Sequence, residues 1–252
     1  MKITLVLIIS LVSSLFSVEA SSALADTIEK VKPSVVGIGT YNRLNSPRAN
    51  LRGTGFVIAD HLVATNAHVL PESLNQQQKE KLVIFIGQGR SPEIRFVSLV
   101  ASDTEHDLAI LRVEGQALQA LTLSQQKVRE GELYAFTGFP IGAVLGLYPV
   151  THRGIISSIT PVVIPARNAN ELSLAQLKRL KSPYNIYQLD ATAYPGNSGS
   201  PLYHPQTGEV IAVINKVFVK TTKEAVLSDP SAISYAIPIV HLQKLLSTFK
   251  NK

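Results

Sequence analysis

The chain of 252 residues has no cysteine and no tryptophan. Without cysteine there is no thiol nucleophile, no thiolate metal site and no disulfide, so burial and hydrogen bonding must hold the fold. No grouping of His, Asp and Glu has metal-ligand spacing, and neither metal nor cofactor is expected. The formal charge of +6 is modest. Its basic residues, among them Lys30, Arg43, Arg52, Lys127, Arg153, Lys178 and Lys220, are scattered without interleaved aromatics. That argues against a nucleic-acid groove. Beyond the N-terminus no stretch is long and apolar enough to span a bilayer.

What is present begins with a leader pattern. Lys2 precedes an apolar run, Ile3 to Phe16, and Val18-Glu19-Ala20 and Ala23-Leu24-Ala25 are small-residue cleavage sites. A signal peptide over residues 1–20, with cleavage as late as residue 25, is expected. The mature chain is then exported, to the periplasm or outside the cell, with no integral membrane segment.

Residues 26–252 read as one all-β unit. Residues 23–31 have helical spacing and stop at Lys32-Pro33, which gives a short N-terminal helix. Short β-forming runs follow at Val35–Thr40, Gly55–Ile58, Leu62–Thr65, Val83–Ile86, Ile94–Val100 and Leu108–Val113. A second series covers Glu132–Thr137, Thr151–Ile159, Ile186–Asp190, Pro201–Tyr203, Val210–Val219 and Ser234–Ile237. Two sets of six strands with little helix between them predict two six-stranded antiparallel β-barrels, at about 33–116 and 130–238. Leu172, Leu174, Leu177 and Leu180 predict a helical insertion over 168–181, and Leu242, Leu245, Leu246 and Phe249 a C-terminal amphipathic helix over 239–250.

The chemistry concentrates in Gly196-Asn197-Ser198-Gly199-Ser200-Pro201. A serine between glycines suits a nucleophile on a tight turn, since small neighbours let a substrate carbonyl reach the hydroxyl and the main-chain N–H groups. Such a turn alone is weak, because ordinary hairpins contain it too. Upstream, Thr65-Asn66-Ala67-His68-Val69 offers a base and Asp107-Leu108-Ala109-Ile110 an orienting carboxylate, in the order His, Asp, Ser. Asp103 and Asp190 are rival carboxylates; Asp107 is preferred because it opens an apolar strand between His68 and Ser198. His61, His106, His152, His204 and His241 lack a comparable setting and read as surface or packing residues.

With these residues in view, the chain resembles the trypsin-like (chymotrypsin-fold) serine endopeptidases, most of all their HtrA/Deg branch. The histidine, aspartate and serine motifs carry the likeness, together with Lys32-Pro33-Ser34-Val35-Val36, Gly138-Phe139-Pro140, Gly154-Ile155-Ile156-Ser157 and Tyr235-Ala236-Ile237-Pro238. Two departures stand out. That branch usually carries PDZ domains after the protease, whereas no further globular domain is expected in the 54 residues after Ser198. Ser200 replaces the second glycine, as in the glutamyl endopeptidase and exfoliative-toxin branch, but Ala212–Lys216 lacks that branch's specificity histidine.

The resemblance implies a catalytic set of His68, Asp107 and Ser198, with the N–H groups of Gly196 and Ser198 as oxyanion hole. It implies a protein or peptide substrate bound as an extended strand along Ile214–Lys216. It also implies a substrate-binding set of Ala193, Tyr194, Ile214, Asn215 and Lys216. An apolar pocket at Ala193 and Ile214 favours a small or medium aliphatic side chain before the scissile bond, whereas Lys216 at its mouth would accept an acidic one. Competing readings are a toxin-like protease of narrow specificity, a non-catalytic peptide-binding or chaperone-like module, and an esterase.

Overall fold

The computed structural model describes residues 23–75, 79–140, 146–162, 183–215 and 233–251. The leader over 1–20, the insertion over 168–181 and Lys216 lie outside them.

Residues 23–31 form α1, ended by a 3-10 turn at Lys32–Ser34 in which proline cannot continue the helical hydrogen bonding. Six strands follow: β1 (Val35–Tyr41), β2 (Ala49–Ala59), β3 (Leu62–Thr65), β4 (Lys81–Ile86), β5 (Glu93–Asp103) and β6 (Leu108–Val113). They close into a barrel in the order β1-β2-β3-β6-β5-β4, with every pairing antiparallel. The second set is β7 (Leu133–Gly138), β8 (Val150–Pro161), β9 (Asn185–Asp190), β10 (Pro201–Tyr203), β11 (Val210–Asn215) and β12 (Ile233–Pro238), followed by α2 (Ile239–Lys250). It closes in the same topological order, β7-β8-β9-β12-β11-β10. The all-β, two-barrel architecture with a helix at each end is therefore as expected.

Burial explains why some strands look alternating and others continuously apolar. Val36, Ile38, Val57, Val63, Ile84 and Leu111 fill the first barrel, and Phe136, Ile156, Leu189, Leu202, Ala212 and Ile214 fill the second. Their strand neighbours form a third cluster that runs across the interface: Val35, Phe56 and Ile110 from one barrel meet Ala135, Tyr203, Val213 and Ile237 from the other. Strands β6 and β11 bury both faces and so read as unbroken apolar runs, whereas β5 and β8 turn one face to solvent. The connection between the barrels is strapped to both, since Leu121 N–H donates to Val57 O and Ser124 N–H to Val210 O (2.9 Å each).

Helix α2 buries Ile239 and Leu242 against the interface cluster. Its His241 stacks on His106 at 3.9 Å between ring centroids, beside Tyr184. His106 Nδ1 in turn meets Asp103 Oδ2 at 2.7 Å. Burial, with like-charge repulsion from His106 and Lys244, lowers His241 to about 4, against the opposing pull of Asp103. A depressed folded-state value means that the unfolded chain takes up the proton first. The contribution of His241 to stability should therefore be full above about pH 6.5 and fall away as the pH drops toward 4. Denaturation midpoints across that window should decline less steeply in His241→Phe than in the unaltered chain.

Candidate active site

The register of β3 against β6 builds the first half of the site. Thr65 lies opposite Ala109, so the residues just beyond the two strands, His68 and Asp107, are brought side by side. Ala67 N–H donates to Asp107 O (3.1 Å), as does Asn66 Nδ2 (3.1 Å). These bonds fix the Asp107 main chain in the left-handed region, at φ 54°, and turn its carboxylate back toward the 3-10 turn Ala67–Val69 that carries His68. Oδ1 accepts the His68 main-chain N–H at 2.9 Å, and Oδ2 lies 2.6 Å from His68 Nδ1.

A third donor comes from the other barrel: Asn215 Nδ2 reaches Asp107 Oδ2 at 2.7 Å. The Asp107 side chain is only 11% exposed, and these three donors are what makes an ionised carboxylate tolerable there. With Nδ1 held by Asp107, the ring has Nε2 left for proton transfer, and its side chain stays 30% exposed. The rival carboxylates are placed elsewhere. Asp103 pairs with His106: burial would raise it, but the bonds and charge of His106 outweigh that and hold it below the usual carboxylate range. Asp190 ends β9, opposite Ile233 of β12.

The second half of the site is the turn between β9 and β10. Asn197 N–H donates to Tyr194 O (3.0 Å), Ser200 N–H to Asn197 O (3.0 Å) and Gly199 N–H to Ile214 O (2.9 Å). The N–H groups of Gly196 and Ser198 donate to no acceptor among the described residues. Ser198 is 7% exposed, and Gly196 takes a φ of 98° that glycine adopts without cost. Two unused donors beside a hydroxyl suit stabilisation of an oxyanion. No hydrogen bond joins His68 to Ser198 among the described residues, which is common where substrate has yet to tighten the site.

The two halves meet across β2. A side chain at Gly53 would stand 2.7 Å from Val69, next to His68, and 3.0 Å from Ser198 O, so only glycine lets the barrels close here. Gly199 is more restricted still, with a φ of 88° and a Cβ position 2.0 Å from Thr54 O. Gly199→Ala is expected to cost about 3–5 kcal/mol of folding stability, measurable by urea denaturation.

The substrate-binding residues part company. Ala193 is held by Ser234 Oγ, which accepts Ala193 N–H and donates to Ala191 O (2.6 Å each). Tyr194 packs its ring 6.0 Å from that of His152. Ile214 departs from the expectation: it is wholly buried inside the second barrel, and its N–H and C=O are taken by Ser200 and Gly199. It offers neither a pocket wall nor a free strand edge. Asn215, also wholly buried, gives its side chain to Asp107, and this role was missed because no local pattern in Val210–Asn215 points across the barrels. Burial also leaves His152 Nε2, Asn66 Oδ1, Ser200 Oγ and both amide atoms of Asn197 without partners among the described residues.

The trypsin-like peptidase domain family matches residues 53–213. The chain is 30% identical over 237 residues to the mouse serine protease HTRA3, covering 91% of this chain and 45% of that protein. It is 30% identical over 193 residues to a probable periplasmic DegP-like serine endoprotease of Halomonas elongata, covering 74% and 32%. The chain thus spans less than half the length of either relative. Among solved structures, the active form of the Rv3671c protease of M. tuberculosis superposes with a TM-score of 0.65 at 21% identity, covering 88% of this chain and 82% of that one.

Proposed function

We propose that this chain, which belongs to the trypsin-like peptidase domain family, is an exported endopeptidase of the HtrA type cutting peptide bonds through Ser198, His68 and Asp107. The observation that carries the reading is the 2.6 Å contact between His68 and a buried, triply bonded Asp107. It sits across β2 from a serine turn with two uncommitted N–H groups.

Ser198 Oγ attacks the scissile carbonyl as His68 Nε2 takes its proton. The carbonyl π electrons move to oxygen, where the Gly196 and Ser198 N–H groups stabilise the charge. Collapse breaks the C–N bond, His68 protonates the leaving amine, and an acyl-enzyme remains. Water, deprotonated by the same ring, then releases the acid and restores Ser198. Asp107 keeps the proton on Nδ1 and stabilises the imidazolium. A small or medium aliphatic residue before the cut is favoured by Ala193, and export by the leader pattern over 1–20 and the periplasmic designation of the Halomonas relative.

The test is to expose the purified mature chain to unfolded casein and, separately, to a fluorophosphonate, locating the adduct by peptide mapping. Casein cleavage with the adduct on Ser198 is expected. An adduct without cleavage of any protein in a mixed library marks an esterase or a protease of very narrow range. Neither adduct nor cleavage overturns the reading in favour of a peptide-binding module.

A further inference from the structure

Thr54, in β2 of the first barrel, hydrogen-bonds two loops of the second barrel beside Ser198, and it is wholly buried. Its N–H donates to Ser198 O at 2.9 Å. Its Oγ1 donates to Gly196 O at 2.7 Å and accepts the Phe139 N–H at 3.0 Å. Its C=O accepts from Thr65 Oγ1 at 2.7 Å. Every polar group it has is used.

These bonds decide which way the serine turn faces. The Gly196–Asn197 peptide is held at its oxygen by Thr54 Oγ1 and at its N–H by Tyr194 O. The Ser198–Gly199 peptide is held at its oxygen by Thr54 N–H and at its N–H by Ile214 O. Between them, the Asn197–Ser198 peptide is anchored at its oxygen by Ser200 N–H, which leaves the Ser198 N–H outward. Thr54 thus supplies two of the five constraints on three consecutive peptide planes. Through Thr65 it is also tied to the segment that leads, three residues on, to His68. Glycine at 53 and 138 allows this closeness: a Cβ at Gly53 would stand 3.0 Å from Ser198 O, and one at Gly138 2.0 Å from Ser200 Oγ and 3.0 Å from Thr54 Oγ1.

We propose that Thr54 is a positioning residue for catalysis, whose hydroxyl, bridging Gly196 C=O and Phe139 N–H, sets Ser198 and its N–H donor from the barrel that carries the base. The inference rests on the reading of Ser198 as nucleophile. Thr54 acts through Gly196 and touches no substrate. The role needs one group that both donates and accepts in the volume of a threonine, which serine retains and valine lacks.

The experiment follows the rate of fluorophosphonate labelling of Ser198, and kcat and KM on quenched fluorescent casein, in the unaltered chain, Thr54→Ser and Thr54→Val, with Ser198→Ala as blank. Thr54→Val should slow labelling and kcat on the order of 100-fold with KM little changed. Thr54→Ser should restore both to within a few-fold. Labelling of Thr54→Val at the unaltered rate overturns the proposal, as does Thr54→Ser as slow as Thr54→Val, which would assign the effect to the methyl group. If the unaltered chain itself is not labelled, the proposed function fails and this inference with it, a result the variants cannot mimic. Should Thr54→Val not fold, Thr54→Ala takes its place and amide exchange of the unaltered chain decides. Thr54 and Phe139 amides exchanging like exposed ones would overturn the proposal, and strong protection with active Thr54→Ser supports it.

Discussion

Ser198→Ala is expected to lower kcat on unfolded protein by about 10⁶-fold, and adding His68→Ala should cost almost nothing more. The two act as one unit. Once the hydroxyl is gone, His68 Nε2 has no proton to take, so removing the ring deletes a function already lost. Casein fragments should be undetectable in both variants. The alanine should fold as before, because the turn is held by main-chain bonds that alanine keeps: Thr54 N–H to Ser198 O and Gly199 N–H to Ile214 O. Unchanged denaturation beside absent turnover separates chemistry from folding. Turnover within tenfold of the unaltered chain would place the nucleophile elsewhere.

Asp107→Asn should lower kcat by about 10⁴-fold while leaving the fold intact. The backbone argument comes first. Asp107 sits at a φ of 54°, a region that asparagine enters more readily than most residues, so the substitution adds little strain. The polar argument then decides. The carboxylate accepts three donors: the His68 N–H on Oδ1, and His68 Nδ1 and Asn215 Nδ2 on Oδ2. A carboxamide has one accepting oxygen. If its NH₂ faces the ring, it favours the tautomer with the proton on Nε2, which cannot accept from Ser198. If it turns the other way, two donors face each other at the His68 main chain. Asn215→Ala removes one donor and leaves the tautomer intact, so a loss of only about 10- to 100-fold is expected. Kinetics on a quenched casein substrate, with melting temperatures measured in parallel, would order the two variants; equal losses would refute the distinction.

Strands bounded by turn residues and filled with β-branched or aromatic side chains were legible from the chain alone. β3, β6 and β10 run over the residues expected, and α2 does too. β2 was read as Gly55–Ile58, yet it extends over Ala49–Ala59. Asn50, Arg52 and Gly53 have little strand preference of their own. They are extended because β1 pairs along this stretch, from Tyr41 opposite Ala49 to Val35 opposite Phe56, with Arg52 bulged out between the paired Leu51 and Gly53. Ile214 shows the converse. Its apolar neighbourhood marks a strand correctly, but which face it offers depends on the barrel that closes around it.

The amino-acid sequence by itself determined the two sets of strands, the terminal helices and the three motifs bearing His68, Asp107 and Ser198. Those features arise from residues near one another in the chain, where periodicity, turn chemistry and composition act. Only the tertiary structure decided what supports the motifs. Asn215 is 108 residues from Asp107, and Thr54 is 142 residues from Gly196. A buried amide or hydroxyl must find a partner wherever folding brings one, and no local rule names a partner that distant. The two barrels meet through these bonds, each holding a candidate-site element of the other.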